Sequence, residues 1–108
     1  MAFVLKQNDT SPQIQATLKD SDNAVIDLTG ATVRFHMKAY GATSTKVDTA
    51  ATIVGDAQDG VVKYAWQSGD TDTVGTYNAE FEITYGDGNV ETFPNDKNLT
   101  IVIKAELA

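Results

Sequence analysis

Gly75-Thr-Tyr77-Asn-Ala79-Glu-Phe81-Glu-Ile83-Thr-Tyr85 is the stretch on which the fold turns. Tyr77, Ala79, Phe81, Ile83 and Tyr85 fall on every second position, with Asn78, Glu80, Glu82 and Thr84 between them. A period of two sends successive side chains to opposite faces of a strand, so one face packs on a core and the other meets water. A helix would need apolar residues three and four apart, and nowhere does the chain hold that spacing over ten or more residues.

The same alternation recurs in Ile14, Ala16, Leu18; in Val33, Phe35, Met37; in Val62, Tyr64, Trp66; and in Leu99, Ile101, Ile103. Val25 to Leu28 and Val47 to Val54 are weaker candidates, which brings the expected total to seven or eight strands. Turn-forming clusters separate them: Asp20-Ser-Asp-Asn23, Gly41-Ala-Thr-Ser44, Gly55 to Gly60, Ser68 to Asp72 and Gly86-Asp-Gly-Asn89. Asp87-Gly88, between Tyr85 and Val90, is the clearest hairpin signal, because Asp-Gly accepts the positive φ angles of a tight turn. Short strands at intervals of about 8–12 residues predict an all-β sandwich or small barrel of antiparallel strands. Asp72-Thr-Val-Gly75-Thr-Tyr77 adds the spacing of a tyrosine corner, in which a Tyr opening a late strand of an immunoglobulin-like sandwich bonds back to the chain just upstream. Ala79 then stands where antibody domains carry their second cysteine, and Trp66 departs from the antibody pattern by following Val62 and Tyr64.

Length and composition bound what such a domain can do. The 108 residues suit one domain with one core, expected over about residues 3–105, with Met1 to Ala2 and Glu106 to Ala108 as loose ends. There is no cysteine, so disulfides and thiolate metal sites are excluded. The formal net charge of −7 comes from 15 acidic against 8 scattered basic residues, a surface that repels a phosphate backbone and argues against nucleic acid as partner. No apolar run approaches the ~18 residues of a membrane span, and Met1 to Lys6 is too short for the core of an export signal; synthesis in a host cytoplasm is the expectation.

Residues able to carry chemistry are few. His36, the one histidine, lies between Arg34 and Lys38 on the face opposite Phe35, and reads as a solvent-facing strand residue. Glu80 and Glu82 share a face roughly 7 Å apart, a separation open to paired carboxylate catalysis, but they sit in a plain alternating strand with no cleft implied. The aspartates of 20–23 and 56–59, with Asp70 and Asp72, offer calcium its oxygen ligands, yet no twelve-residue calcium loop is present and ordinary turns explain them equally. Glycine-rich phosphate loops, serine elbows and paired histidines are missing, so no enzyme and no cofactor is expected.

Pro12 to Asp20, Val25 to Lys38, Gly60 to Trp66, Asp72 to Phe81, Tyr85-Gly-Asp-Gly88 and Thr92-Phe-Pro94 occur in an order that resembles the immunoglobulin-like N-terminal domain of phage baseplate upper proteins. The resemblance runs from about Phe3 to Ile103, and the Asp-x-x-Gly-x-Tyr and Thr-Phe-Pro elements are its most specific parts. It implies a virion structural protein of the tail or baseplate that docks on other virion proteins in symmetric copies, with no catalytic residues. Proteins of that family continue into a helical, receptor-binding portion, whereas this sequence stops with the domain, an argument for the alternative of a capsid decoration protein. A carbohydrate-binding module is a further alternative, with Trp66, Tyr64, Tyr40 and Tyr85 as sugar-stacking rings. For a docking module, Tyr40, Gly41, Phe93 and Pro94 are the expected contact positions, since aromatic residues beside turns make good anchors.

Overall fold

A computed structural model describes residues 2–94 and 99–107. Its centre is the predicted strand: β7, Gly75–Thr84, pairs antiparallel with β3, Thr32–Ala39, in an unbroken register from Thr32 opposite Thr84 to Ala39 opposite Tyr77. Both strands alternate as their sequences do, with Val33, Phe35, Met37, Tyr77, Ala79, Phe81 and Ile83 buried. β4 (Val47–Ala50) lies beyond β3; β9 (Leu99–Lys104) and then β1 (Ala2–Lys6) lie beyond β7. β8 (Val90–Phe93) pairs with the remainder of β7, so β8 and β9 occupy one lane end to end. The second sheet is β2 (Ile14–Thr17), β6 (Val61–Tyr64) and β5 (Thr52–Ile53), in that order. In the immunoglobulin plan these sheets correspond to B-E-D and to C-F-G, the latter flanked by an extra strand on each side.

Several expectations are corrected. β1 was expected to be partly a loose end; it is a strand, and it runs parallel to β9, with Phe3 opposite Ile101 and Leu5 opposite Ile103, so the sheet is mixed. The described residues form nine strands, where seven or eight antiparallel ones were expected. Val25 to Leu28 is not a strand: Val25 makes one isolated bridge to Lys19, and Leu28 is buried by a backbone bond to Ala57. Val47 to Val54 is two strands in different sheets, and the chain changes sheet at Ala51, whose N–H bonds to the Val33 carbonyl. The Asp87-Gly88 hairpin exists, but with a three-residue loop: Tyr85 N–H bonds to the Asn89 carbonyl, and of the pair only Gly88 takes a positive φ (90°).

Between the sheets Phe35 gathers the aromatic core. It stacks on Tyr64 at 4.6 Å, meets Trp66 edge-on at 5.6 Å and tilts against Phe81 at 5.2 Å. Such pairs contribute about 0.5–1.5 kcal/mol each beyond their burial. Trp66 follows the end of β6 yet keeps its inward parity, which is why it is 5% exposed outside any ladder.

Candidate docking surfaces

Strand register sorts the loops onto two poles. The β2–β3, β5–β6 and β7–β8 connections meet at one. Backbone bonds lock the first two together, from Leu18 N–H to the Gly60 carbonyl, Ile26 N–H to the Leu18 carbonyl and Leu28 N–H to the Ala57 carbonyl. Among the described residues of these connections, Asp20, Asp22, Asp27, Asp56, Asp59 and Asp87 stand against Lys19 alone, so the pole is strongly acidic. Four of these carboxylates have local work: Asp20 accepts from Asp22 and Ala24 N–H, Asp27 from Thr29, Asp56 from Gln58 and Asp87 from Asn89. They stabilise turns, as short acidic side chains do.

The opposite pole is built by the β1–β2, β3–β4 and β6–β7 connections and residues 105–107. The tyrosine corner organises it: the Tyr77 hydroxyl donates to the Thr73 carbonyl at 2.7 Å, bracing the turn that feeds β7. Asp70 accepts from the Tyr64 hydroxyl and from Gln67 N–H. Burial, and behind it that hydrogen bond, pushes the Tyr64 phenol far above its ordinary range. Lys46 Nζ reaches Asp72 at 2.7 Å, and with Thr73 it holds the Asp72 carboxyl below the usual range. Tyr40, 56% exposed, donates its backbone N–H to the Thr76 carbonyl, and Val74, 49% exposed, precedes Thr76 by two residues. Gly41 turns the chain at φ 76°.

The outer face of the larger sheet carries the ionic groups. Arg34 donates to Asp48 through Nε at 3.0 Å and Nη2 at 2.8 Å, and these bonds draw the Asp48 carboxyl below the usual range. His36 is corrected from a solvent-facing residue among cations: its ring is half-buried between two carboxylates, Nδ1 3.0 Å from Glu80 and Nε2 3.3 Å from Asp48. The flanking cations belong to its own strand, and the acids come from the strands on either side. Glu80 is therefore engaged in a cross-strand pair, while Glu82 lies opposite Arg34. Cross-strand pairs of this kind add about 0.2–1 kcal/mol and set register more than chemistry.

An immunoglobulin-type pair of sheets, closed by a tyrosine corner, agrees with what residues 4–107 match: the family model of the BppU N-terminal domain, that of the baseplate upper protein. The chain belongs to that family. No curated protein matches it. As a BppU N-terminal domain it is a structural domain of the phage tail and baseplate, a class that acts by contact with other virion proteins and whose place is the virion.

For a BppU N-terminal domain the site question is therefore one of surfaces, and the four expected contact positions do not meet. Tyr40 and Gly41 are exposed at the corner pole. Phe93 is opposite Phe81, on the other flank of β7, and is 3% exposed: it is core, and Pro94 beside it is half-buried. The sugar-stacking set is likewise corrected, because Tyr64 and Trp66 are both core residues. Tyr85 is half-buried with its hydroxyl on Glu91 at 2.8 Å; burial first, then that bond, push it up to about 12. Among the described residues no three His, Cys, Asp or Glu side chains converge to hold a metal ion, and no helix is long and apolar enough to cross a membrane.

Proposed function

We propose that this domain is a non-enzymatic immunoglobulin-like adaptor of the tail or baseplate, present in symmetric copies and docking on neighbouring virion proteins without a cofactor. The observation that carries the reading is the family match over residues 4–107, to a structural domain of the phage baseplate. Its physical support is the distribution of side chains. Two of the four rings of a sugar platform, Tyr64 and Trp66, lie in the core, and the one histidine is enclosed by carboxylates from two adjacent strands.

The corner pole is the contact surface in this reading, with Tyr40 and Gly41 at its centre and Val74 beside them. Exposed aromatic and apolar residues on a braced turn desolvate at little entropic cost, the property of an interface anchor. The test is capture of purified tail components by the immobilised domain, with assembled heads as the comparison. The reading expects tail components to be retained and Tyr40→Ala to reduce retention about tenfold, equivalent to ~1.4 kcal/mol. Retention of heads alone would move the protein to the capsid surface, and retention of neither would remove the adaptor role.

A further inference from the structure

The smaller sheet ends abruptly. In the immunoglobulin plan the first strand lies beside the second, completing a four-strand sheet. Here the first strand has gone to the other sheet, parallel to β9, and among the described residues β2 is left as an edge. Register shows which groups that edge presents. Leu18 N–H bonds to the Gly60 carbonyl, so Leu18, Ala16 and Ile14 bond toward β6, and by alternation the backbone groups of Gln15 and Thr17 point outward. Among the described residues nothing pairs with them.

Exposed edges are ordinarily protected by a charge or by shortness. β1 carries Lys6, β4 carries Asp48, β8 carries Glu91, and β5 has two residues. β2, Ile14-Gln-Ala-Thr17, has four residues and no charge. Along it, between the sheets, run two adjoining apolar hollows of about 360 and 190 Å³ that share Ala16 and Leu99. Phe3 and Ile14 line one, Phe93 and Pro94 the other, which Lys19 also borders two residues past the end of β2.

We infer that β2 accepts an added strand: an extended, uncharged segment of a neighbouring virion polypeptide, antiparallel to β2, with apolar side chains at alternate positions seated in that groove. Backbone groups in a row recognise only another extended backbone, and the apolar floor selects side chains of every second residue. A second folded copy joined edge to edge is disfavoured, because a contact about 13 Å long along four residues falls well short of the ~1,200 Å² of a stable interface and leaves the groove open. The inference rests on the adaptor reading for its source of partner.

Gln15→Pro removes an outward N–H that the domain itself does not use, and proline is tolerated at such edge positions. Ala16→Lys fills the groove without touching the backbone. Wild-type chain is expected in purified particles, with the amides of residues 13–18 exchanging far more slowly there than in the isolated domain. Both variants, with unfolding midpoints close to wild type, are expected at least about tenfold depleted from particles. Wild-type copy number for both variants, with exchange as fast in particles as in isolation, overturns the strand addition and leaves the adaptor reading standing. Absence of the wild-type chain from particles overturns both. A concentration-dependent dimer of the isolated domain, abolished by Gln15→Pro in sedimentation, overturns it in favour of a second copy. If either variant fails to fold, wild-type exchange alone decides.

Discussion

Replacing Gly60 by alanine measures how firmly the acidic pole is locked. Gly60 sits at φ 68°, and a β-carbon there would lie 2.7 Å from the Ile26 carbonyl oxygen and 3.1 Å from both the Ile26 nitrogen and the Leu18 carbonyl oxygen. Holding alanine in the left-handed region costs about 1–2 kcal/mol. The approach to Ile26 adds to this, because the atoms in the way are backbone, held by Leu18 N–H to Gly60 at 2.8 Å and Ile26 N–H to Leu18 at 2.9 Å. Giving up one such bond costs about 1–3 kcal/mol, and alanine recovers about 0.4–1 kcal/mol by restricting the unfolded chain. The net loss is about 2–4 kcal/mol, or about 10–25 °C in Tm for a domain of this size. Gly55→Ala is the control: φ is 66° but nothing lies within 4 Å of the added carbon, so strain alone costs about 1 kcal/mol. Urea unfolding followed by Trp66 fluorescence, with equal m-values, gives both numbers. Equal losses in the two variants would show that the loops yield freely and that the lock does not exist.

Tyr77→Phe removes the hydroxyl on the Thr73 carbonyl and should cost about 1–2 kcal/mol in the same assay, with the fold kept; no loss would deny the corner a structural role. Tyr64 and Tyr85 ionise later in the folded than in the unfolded chain, so the stability they contribute is intact below pH ~10 and is lost as pH rises, through about 12 for Tyr85 and higher still for Tyr64. A spectrophotometric titration should show at least two tyrosines ionising late, with unfolding above that window. Arg34→Met should return the Asp48 carboxyl toward the ordinary carboxylate range, read by NMR titration of its side-chain carbon; an unchanged titration would remove Arg34 as the cause. The stability linked to Asp48 and Asp72 is present above the unfolded carboxylate pKa and is lost as pH falls through their lowered values.

How much of this was legible before the structure depended on whether a residue's fate is decided locally. β7 was, because half-burial writes itself into strict alternation, and so was Tyr77, whose partner lies four residues upstream. β1 was not: Ala2-Phe-Val-Leu-Lys6 has no clean period of two, and its partner is the strand Leu99–Lys104 at the far end of the chain. Leu28 read as part of a strand because a buried loop residue and a strand residue look alike in sequence. Phe93 reads as a surface anchor because it is an aromatic residue beside a turn, yet its parity opposite Phe81 turns it inward. His36 shows the same limit, since the cations beside it are visible in sequence while the carboxylates that hold it arrive only with the register. The edge of β2 was invisible for a related reason: a strand paired on one side alone is a property of the topology, and Ile14 to Thr17 reads like any strand paired on both.

The measurement that bears most directly on the adaptor reading is the copy number of this chain per purified phage particle, by quantitative mass spectrometry against the major capsid and tail-tube proteins. A tail or baseplate adaptor in symmetric copies predicts from a few to a few dozen. Several hundred would contradict that placement and make it a capsid decoration protein, and none would contradict a virion role altogether.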